Sequence, residues 1–161
     1  MKKLLYVPLF FFCLICYSQE NSNNSEEIEK RKMRASYMGY LTAEGYLPSI
    51  DDDGDIKFKV EGETYYIIVK NTRIFILQKF LNNSNGCSDI LYKTLNTANR
   101  RFRNITIYSL NDDCSGVAIK SASWLENEDD FKDIFKISLD IVKNADEATQ
   151  EFYAEYSGDG E

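Results

Sequence analysis

The pattern of apolar and polar positions is clearest between Ile56 and Leu81, where three short runs have the character of β-strands. Ile56–Val60 alternates apolar with charged residues, which predicts a strand with one face on a core and the other in water. The runs 65–69 and 74–77 are apolar on both faces and rich in β-branched and aromatic residues. The breaks between the runs are too short for a crossover helix, so we predict an antiparallel meander.

Helical periodicity appears on both sides of this meander. The predicted helices run from Ser25 to near Gly45, over 88–103 and from Asn127 to Tyr156. The runs 105–110 and 117–124 predict a second hairpin between the last two helices. We therefore predict one α+β domain over 26–156, with an antiparallel sheet of about five strands and the order α-β-β-β-α-β-β-α. Residues 19–25 are expected to form a disordered lead-in, and residues 157–161 a flexible tail.

The N-terminus has the composition of an export signal. Two lysines precede an apolar stretch over 4–15, and small residues occupy the −3 and −1 positions before Gln19. This pattern predicts a secretory signal peptide over 1–18, cleaved after Ser18, and a mature protein in the periplasm or outside the cell without a membrane attachment. A lipid-modified Cys16 or Cys13 and an uncleaved anchor remain open as alternatives.

Export leaves Cys87 and Cys114 as the cysteines of the mature chain, in an oxidising compartment. The predicted helix between them covers ~22 Å, and the strand after it returns ~20 to 23 Å. The two cysteines should therefore lie at the same end of the domain, and we predict a disulfide, with free thiols as the alternative. Two cysteines in a chain without histidine cannot complete a zinc site without acidic ligands, so we predict no metal site. No cofactor is predicted either.

Charge narrows the choice of partner. The net charge is −7 at pH 7, and loss of the positive charges of Lys2 and Lys3 takes it to −9. This balance argues against nucleic acid or anionic lipid as a partner. The basic run 100–103 lies at the end of a predicted helix, where cations complement the helix dipole, although a phosphate site there remains open.

The acidic run 51–55 resembles part of a calcium-binding loop. With Gly54 at the sixth position of such a loop, Val60 takes the twelfth, where a bidentate acid is needed. We therefore favour an acidic turn at the entry to the first strand.

No catalytic residues are predicted, because the chain has no histidine, no nucleophile-elbow pattern and no glycine-rich phosphate loop.

A possible binding surface is formed by four aromatic residues, Tyr65, Phe75, Tyr108 and Trp124, with burial in the core as the alternative for each. The leading hypothesis is an exported, non-enzymatic, chaperone-like module that holds a protein segment or a second copy of itself. A periplasmic small-ligand-binding protein and a carboxylate-dependent hydrolase remain as alternatives.

Four segments carry a resemblance to a known family: Tyr40-Leu41-Thr42-Ala43-Glu44-Gly45-Tyr46, Asp53-Gly54-Asp55-Ile56-Lys57-Phe58, Glu61-Gly62 and Asn96-Thr97-Ala98-Asn99. On these segments and the order of its elements, the chain resembles the YbjN family and the wider group of type III secretion chaperone-like folds, over about 26–156. The resemblance implies an α+β, non-enzymatic, protein-binding module, often dimeric. This chain departs from that group in its export signal and its predicted disulfide.

Overall fold

The computed structural model describes residues 7–127 and 129–158, with side chains described from Ser25 onwards. Its elements are α1 (Val7–Ala43), β1 (Ser49–Ile50), β2 (Ile56–Val60), β3 (Glu63–Ile67), β4 (Ile74–Asn82), α2 (Asp89–Arg101), β5 (Ile105–Leu110), β6 (Gly116–Trp124) and α3 (Asp130–Ser157). This order confirms the predicted α+β class. The structure adds one strand, β1, which has two residues and pairs with the start of β2.

The strands form one sheet in the order β1-β2-β3-β4-β6-β5, and every neighbouring pair is antiparallel. The meander β2-β3-β4 and the hairpin β5-β6 are joined by β4 and β6, which pair along their full length from Ile74↔Trp124 to Asn82↔Gly116. This pairing explains why β4 continues to Asn82, five residues beyond its predicted end. The polar residues Gln78 and Lys79 do not indicate a strand in the sequence, but pairing with β6 supplies the backbone hydrogen bonds that keep them in one.

The register of the first hairpin follows from its turn. Val60 pairs with Glu63, which leaves Glu61 and Gly62 as a two-residue loop. Both loop residues have positive φ, 54° and 91°, as a type I′ turn requires. The tight turn starts β3 at Glu63, two residues earlier than the sequence predicts.

Helix α1 is longer than predicted, because it runs without a break from Val7 to Ala43. The predicted helix start at Ser25 and the predicted disordered lead-in over 19–25 are corrected accordingly. No Pro or Gly lies between positions 9 and 38 to interrupt a helix once it has formed. Residues 1–6 of the predicted signal peptide and 159–161 of the predicted tail lie outside the described residues, and cleavage after Ser18 remains a prediction. None of the described helices is long and apolar enough to cross a membrane.

The end of α1 is a Schellman motif built on Gly45. This residue has φ +89°, its N–H donates to Thr42 O at 3.1 Å, and the N–H of Tyr46 donates to Leu41 O at 2.9 Å. The motif turns the chain so that the Tyr46 ring packs against Phe58, with ring centroids 5.6 Å apart.

All three helices lie on the same face of the sheet, and aromatic side chains dominate the core between them. Tyr37 of α1 contacts Phe75 of β4 and Phe131 of α3, at centroid distances of 6.0 Å and 4.2 Å. Phe135 of α3 lies 5.7 Å from Phe58 of β2. Helix α2 packs beside α3 and over β5.

Two of the four predicted surface residues belong to this core. Tyr65 is 2% exposed and Phe75 is fully buried, so neither contributes to a binding surface. Both point towards the helices because they share a strand face with Ile67 and Leu77. The alternative of core burial is therefore correct for these two residues.

Candidate functional site

The face of the sheet opposite the helices is not covered by any described element. Residues directly opposite each other in antiparallel strands share a face, so Lys57, Tyr66, Gln78 and Lys120 form a row across four strands. We call this surface the open face. Its residues include Lys57, Lys59, Thr64, Tyr66, Ile74, Ile76, Gln78, Phe80, Thr106, Tyr108, Leu110, Ala118, Lys120, Ala122 and Trp124.

Exposed aromatic side chains lie at both ends of the paired strands β4 and β6 on the open face. Phe80 is 43% exposed and Trp124 is 61% exposed, although both lie on paired strands inside the sheet. The ring of Phe80 meets Tyr66 edge to face, with centroids 5.1 Å apart. Gln78 Nε2 donates to the Tyr108 hydroxyl at 3.2 Å and holds that ring in place. Tyr108 and Trp124 therefore lie on the open face, together with Tyr66 and Phe80, which the sequence pattern did not indicate.

The charge of the open face is opposite to that of the whole protein. The face carries Lys57, Lys59 and Lys120 and no Asp or Glu, whereas the chain as a whole has 26 acidic and 19 basic residues. Among the described strands the one acidic residue is Glu63, which lies on the helix side and pairs with Lys79. Within the described residues, no acidic side chain forms a salt bridge with the three lysines, and Lys120 instead lies 5.7 Å from the Tyr108 ring centroid.

One edge of the sheet is closed by a side chain. Asn99 of α2 lies against the free side of β5, where its Nδ2 donates to Ile107 O at 2.7 Å and its Oδ1 accepts from Ile107 N at 2.9 Å. These two bonds use the backbone groups that an added strand would need. Binding by strand addition at the middle of β5 is therefore blocked, whereas the open face is accessible.

Replacing Asn99 by Ala is expected to lower the free energy of unfolding by about 1–3 kcal/mol, because two backbone groups of Ile107 lose their partners. The variant should also self-associate at concentrations where the parent does not, because the edge of β5 becomes available. Urea denaturation and size-exclusion chromatography measure the two effects. Asn96→Ala, at an exposed position of the same helix, is the matched control; equal behaviour of the two variants would contradict the edge-closing role.

The predicted disulfide is present in the structure. Cys87 and Cys114 are bonded, with Cα atoms 5.0 Å apart, at the same end of the domain. Cys87 immediately precedes Ser88, the N-cap of α2, and Cys114 lies in the turn between β5 and β6. The bond joins these two segments.

The acidic segment 51–55 forms a turn, as favoured from the sequence. Asp51 Oδ1 accepts the backbone N–H groups of Asp53 and Asp55, at 3.1 Å and 2.9 Å. Burial raises the pKa of Asp55, and the N–H of Val69, which donates to its carboxylate at 3.2 Å, lowers this pKa in part. Within the described residues, no group of three or more Cys, Asp or Glu side chains is arranged to hold a metal ion.

The basic run 100–103 has a structural use at the end of α2. Arg100 and Arg101 lie in the last turn, and the guanidinium of Arg101 lies 5.6 Å from the Phe152 ring of α3. This arrangement supports the structural interpretation of the run.

A buried ion pair connects the sheet to α3. Lys79 of β4 faces the core and pairs with Asp146, whose second oxygen accepts from Gln150 Nε2 at 2.8 Å. Glu63 lies 3.2 Å from the same ammonium group. Burial lowers the pKa of Lys79, but the hydrogen bond and charge of Asp146 outweigh it and raise this pKa overall. The pair was missed from the sequence, because the predicted third strand ended before Lys79.

No family model and no curated protein matches the chain. Among solved structures, it is similar to the crystal structure of "YbjN, a putative transcription regulator from E. coli", with a TM-score of 0.51 over 77% of this chain and 90% of that chain. The chain has the YbjN fold. The identity to YbjN is 9%, so the likeness concerns the fold and not the activity. It confirms the fold that the resemblance in the sequence implied.

Proposed function

We propose that the protein is an exported, non-enzymatic, chaperone-like binding module that holds an extended acidic segment of a partner protein on its open face. The observation that carries the proposal is the combination of exposed aromatic rings with three lysines, and no acid, on one sheet face of an acidic protein.

The two kinds of side chain would act on different parts of the partner. Phe80, Trp124 and Tyr66 offer apolar area to alternate side chains of an extended peptide, since the pleat separates its two faces. Lys57, Lys59 and Lys120 attract carboxylates and fix the direction of the segment. Because these lysines are at the surface, the attraction should weaken with salt.

A second copy of the chain is a weaker candidate for the open face. A two-fold pairing of identical faces would bring the lysines of one copy against those of the other. Nucleic acid is also weaker, since three lysines on a protein of net charge −7 neutralise few phosphates.

The disulfide supports export, because disulfides persist in oxidising compartments and are rare in the cytosol. The non-enzymatic part of the proposal is supported by the lack of histidine in the chain. It is also supported by the position of Lys79 and Asp146, which neutralise each other inside the core instead of meeting at an accessible cleft.

Binding can be followed directly, because Trp124 is the one tryptophan of the chain and lies on the open face. A tryptophan-free peptide of about eight residues can cross the six-stranded sheet, whose strands lie ~4.8 Å apart. We expect a peptide that repeats Leu-Ser-Glu-Ser, which places Leu and Glu on one face and Ser on the other, to shift the Trp124 emission. This Leu/Glu peptide should bind at least roughly tenfold more tightly than its Leu/Lys counterpart, in which Lys replaces Glu.

Charge reversal tests whether peptide binding depends on the lysines of the open face or on lysines elsewhere on the surface. The double variant Lys57→Glu/Lys120→Glu should weaken binding of the Leu/Glu peptide by roughly tenfold or more. The matched control, Lys32→Glu on the exposed side of α1, should leave the affinity unchanged. Equal affinity for the two peptides, or an equal loss in the control, would refute the proposal.

A further inference from the structure

A cavity of about 440 Å³ lies on the helix side of the sheet, between α2, the C-terminal half of α3 and the loop from β4 to α2. This volume is within the range of small-molecule sites. Leu81, Leu91 and Val117 line it with apolar surface. Leu81 and Val117 pair on the face of the sheet opposite the open face, so the cavity is separate from the surface proposed above.

The lining of the cavity is uncharged. Its polar groups are amides and hydroxyls, which include Asn85, Gln150 and Tyr153, and its lining includes no Asp, Glu, Lys or Arg. A charged ligand would lose its hydration in this cavity without gaining a counter-charge. The chemistry therefore favours a neutral molecule.

Thr94 supplies the observation that points to a ligand. This residue lines the cavity, is 0% exposed, and its hydroxyl has no hydrogen-bond partner among the described residues. Threonine hydroxyls in helices commonly bond to the carbonyl one turn back, as Thr97 and Thr149 do in this structure. A buried hydroxyl without a partner costs stability. A ligand group in the cavity would satisfy this hydroxyl after a small shift of the side chains that cover it.

The wall made by the β4–α2 loop is held in place before any ligand arrives. Asn83 Nδ2 donates to Gly86 O at 2.8 Å and to Cys114 O at 2.6 Å, and Cys114 is bonded to Cys87. Across the cavity, Asn85 Nδ2 donates to the Tyr153 hydroxyl at 2.7 Å and ties the loop to α3. A wall fixed in this way lowers the entropy cost of binding.

We propose that this cavity binds a neutral small molecule with an apolar body and a hydroxyl or amide group, and that this group hydrogen bonds to the hydroxyl of Thr94. The apolar body lies against Leu81, Leu91 and Val117. The site is independent of the open face, and either can fail without the other.

The test uses octyl β-glucoside below its micelle concentration as the neutral probe and octanoate as a charged probe with the same chain length. Binding to protein expressed from its complete coding sequence is followed by amide chemical shifts. We expect the glucoside to shift Thr94, Gln150 and Tyr153, and octanoate to bind at least roughly tenfold more weakly. Thr94→Val should weaken glucoside binding roughly fivefold without lowering the melting temperature.

Two further results decide the proposal. Ala154→Trp fills the cavity from α3 and should abolish the glucoside shifts at the lining residues, while Ile137→Trp, on an exposed position of the same helix, should leave them unchanged. Glucoside shifts confined to the open face, equal affinity of octanoate, or unchanged glucoside affinity of Thr94→Val would each overturn the assignment.

Discussion

Asp146→Ala is expected to lower the free energy of unfolding by about 3–5 kcal/mol, because it leaves the ammonium group of Lys79 buried without its main counter-charge. Glu63 reaches the same group, but its carboxylate is largely in water and compensates only in part. Urea denaturation followed by circular dichroism measures the loss.

The double variant Lys79→Met/Asp146→Leu distinguishes the cost of an unpaired buried charge from the cost of lost side-chain packing. It removes both charges and keeps similar side-chain volumes, so it should be markedly more stable than Asp146→Ala. Lys143 lies on the same helix as Asp146 and pairs at the surface with Glu61 of the β2–β3 turn. Lys143→Ala is therefore the control and should have a much smaller effect. If Asp146→Ala behaves like Lys143→Ala, the pair is not the buried connection between β4 and α3 that we describe.

The pair also predicts a dependence on alkaline pH. Because the pKa of Lys79 is raised above its usual 10.5 in the folded state, its contribution is present below that pH and is lost as pH rises through the folded value. The free energy of unfolding of the parent, relative to that of Lys79→Met/Asp146→Leu, should therefore fall above pH 10.5, and a constant difference would contradict the assignment. Tyr65 faces the same group, and burial raises its pKa.

Reduction of the Cys87–Cys114 disulfide is expected to lower the free energy of unfolding by roughly 3–4 kcal/mol. The bond closes a loop with a sequence separation of 27 and so restricts the unfolded chain. Urea denaturation with and without a reductant measures the effect, and Cys87→Ser/Cys114→Ser, which should not respond to reductant, is the control. A parent that does not respond to reductant would contradict this role.

The sequence predicted most of the fold because its local signals agree with one another. β2 and β5 have their predicted boundaries, since alternation and turn residues mark both ends. α1 differs most from its predicted bounds: the polar residues 19–25 indicate a break when read alone, but nothing in them stops a helix that continues on both sides.

The site was only half predictable, for a reason of geometry. The run 65–69 is apolar on both faces, so period 2 alone does not show which face the helices will cover. The structure turns Tyr65 inwards and its neighbour Tyr66 outwards, and register with β4 then brings Phe80 beside Tyr66. The alternation in β2 already indicates that Lys57 and Lys59 share an exposed face, but only the strand order shows that Lys120 and the aromatic side chains lie on the same face.

The most direct test of the binding function is photocrosslinking in the cell from position 80. A benzoylphenylalanine in place of Phe80 should crosslink to one protein, and mass spectrometry should locate the bond in an acidic, extended segment of it. The same group in place of Ile137, an exposed residue on the helix side, should not give that product. Crosslinks from position 80 to this chain itself, to basic segments, or to the same products as position 137 would contradict the account.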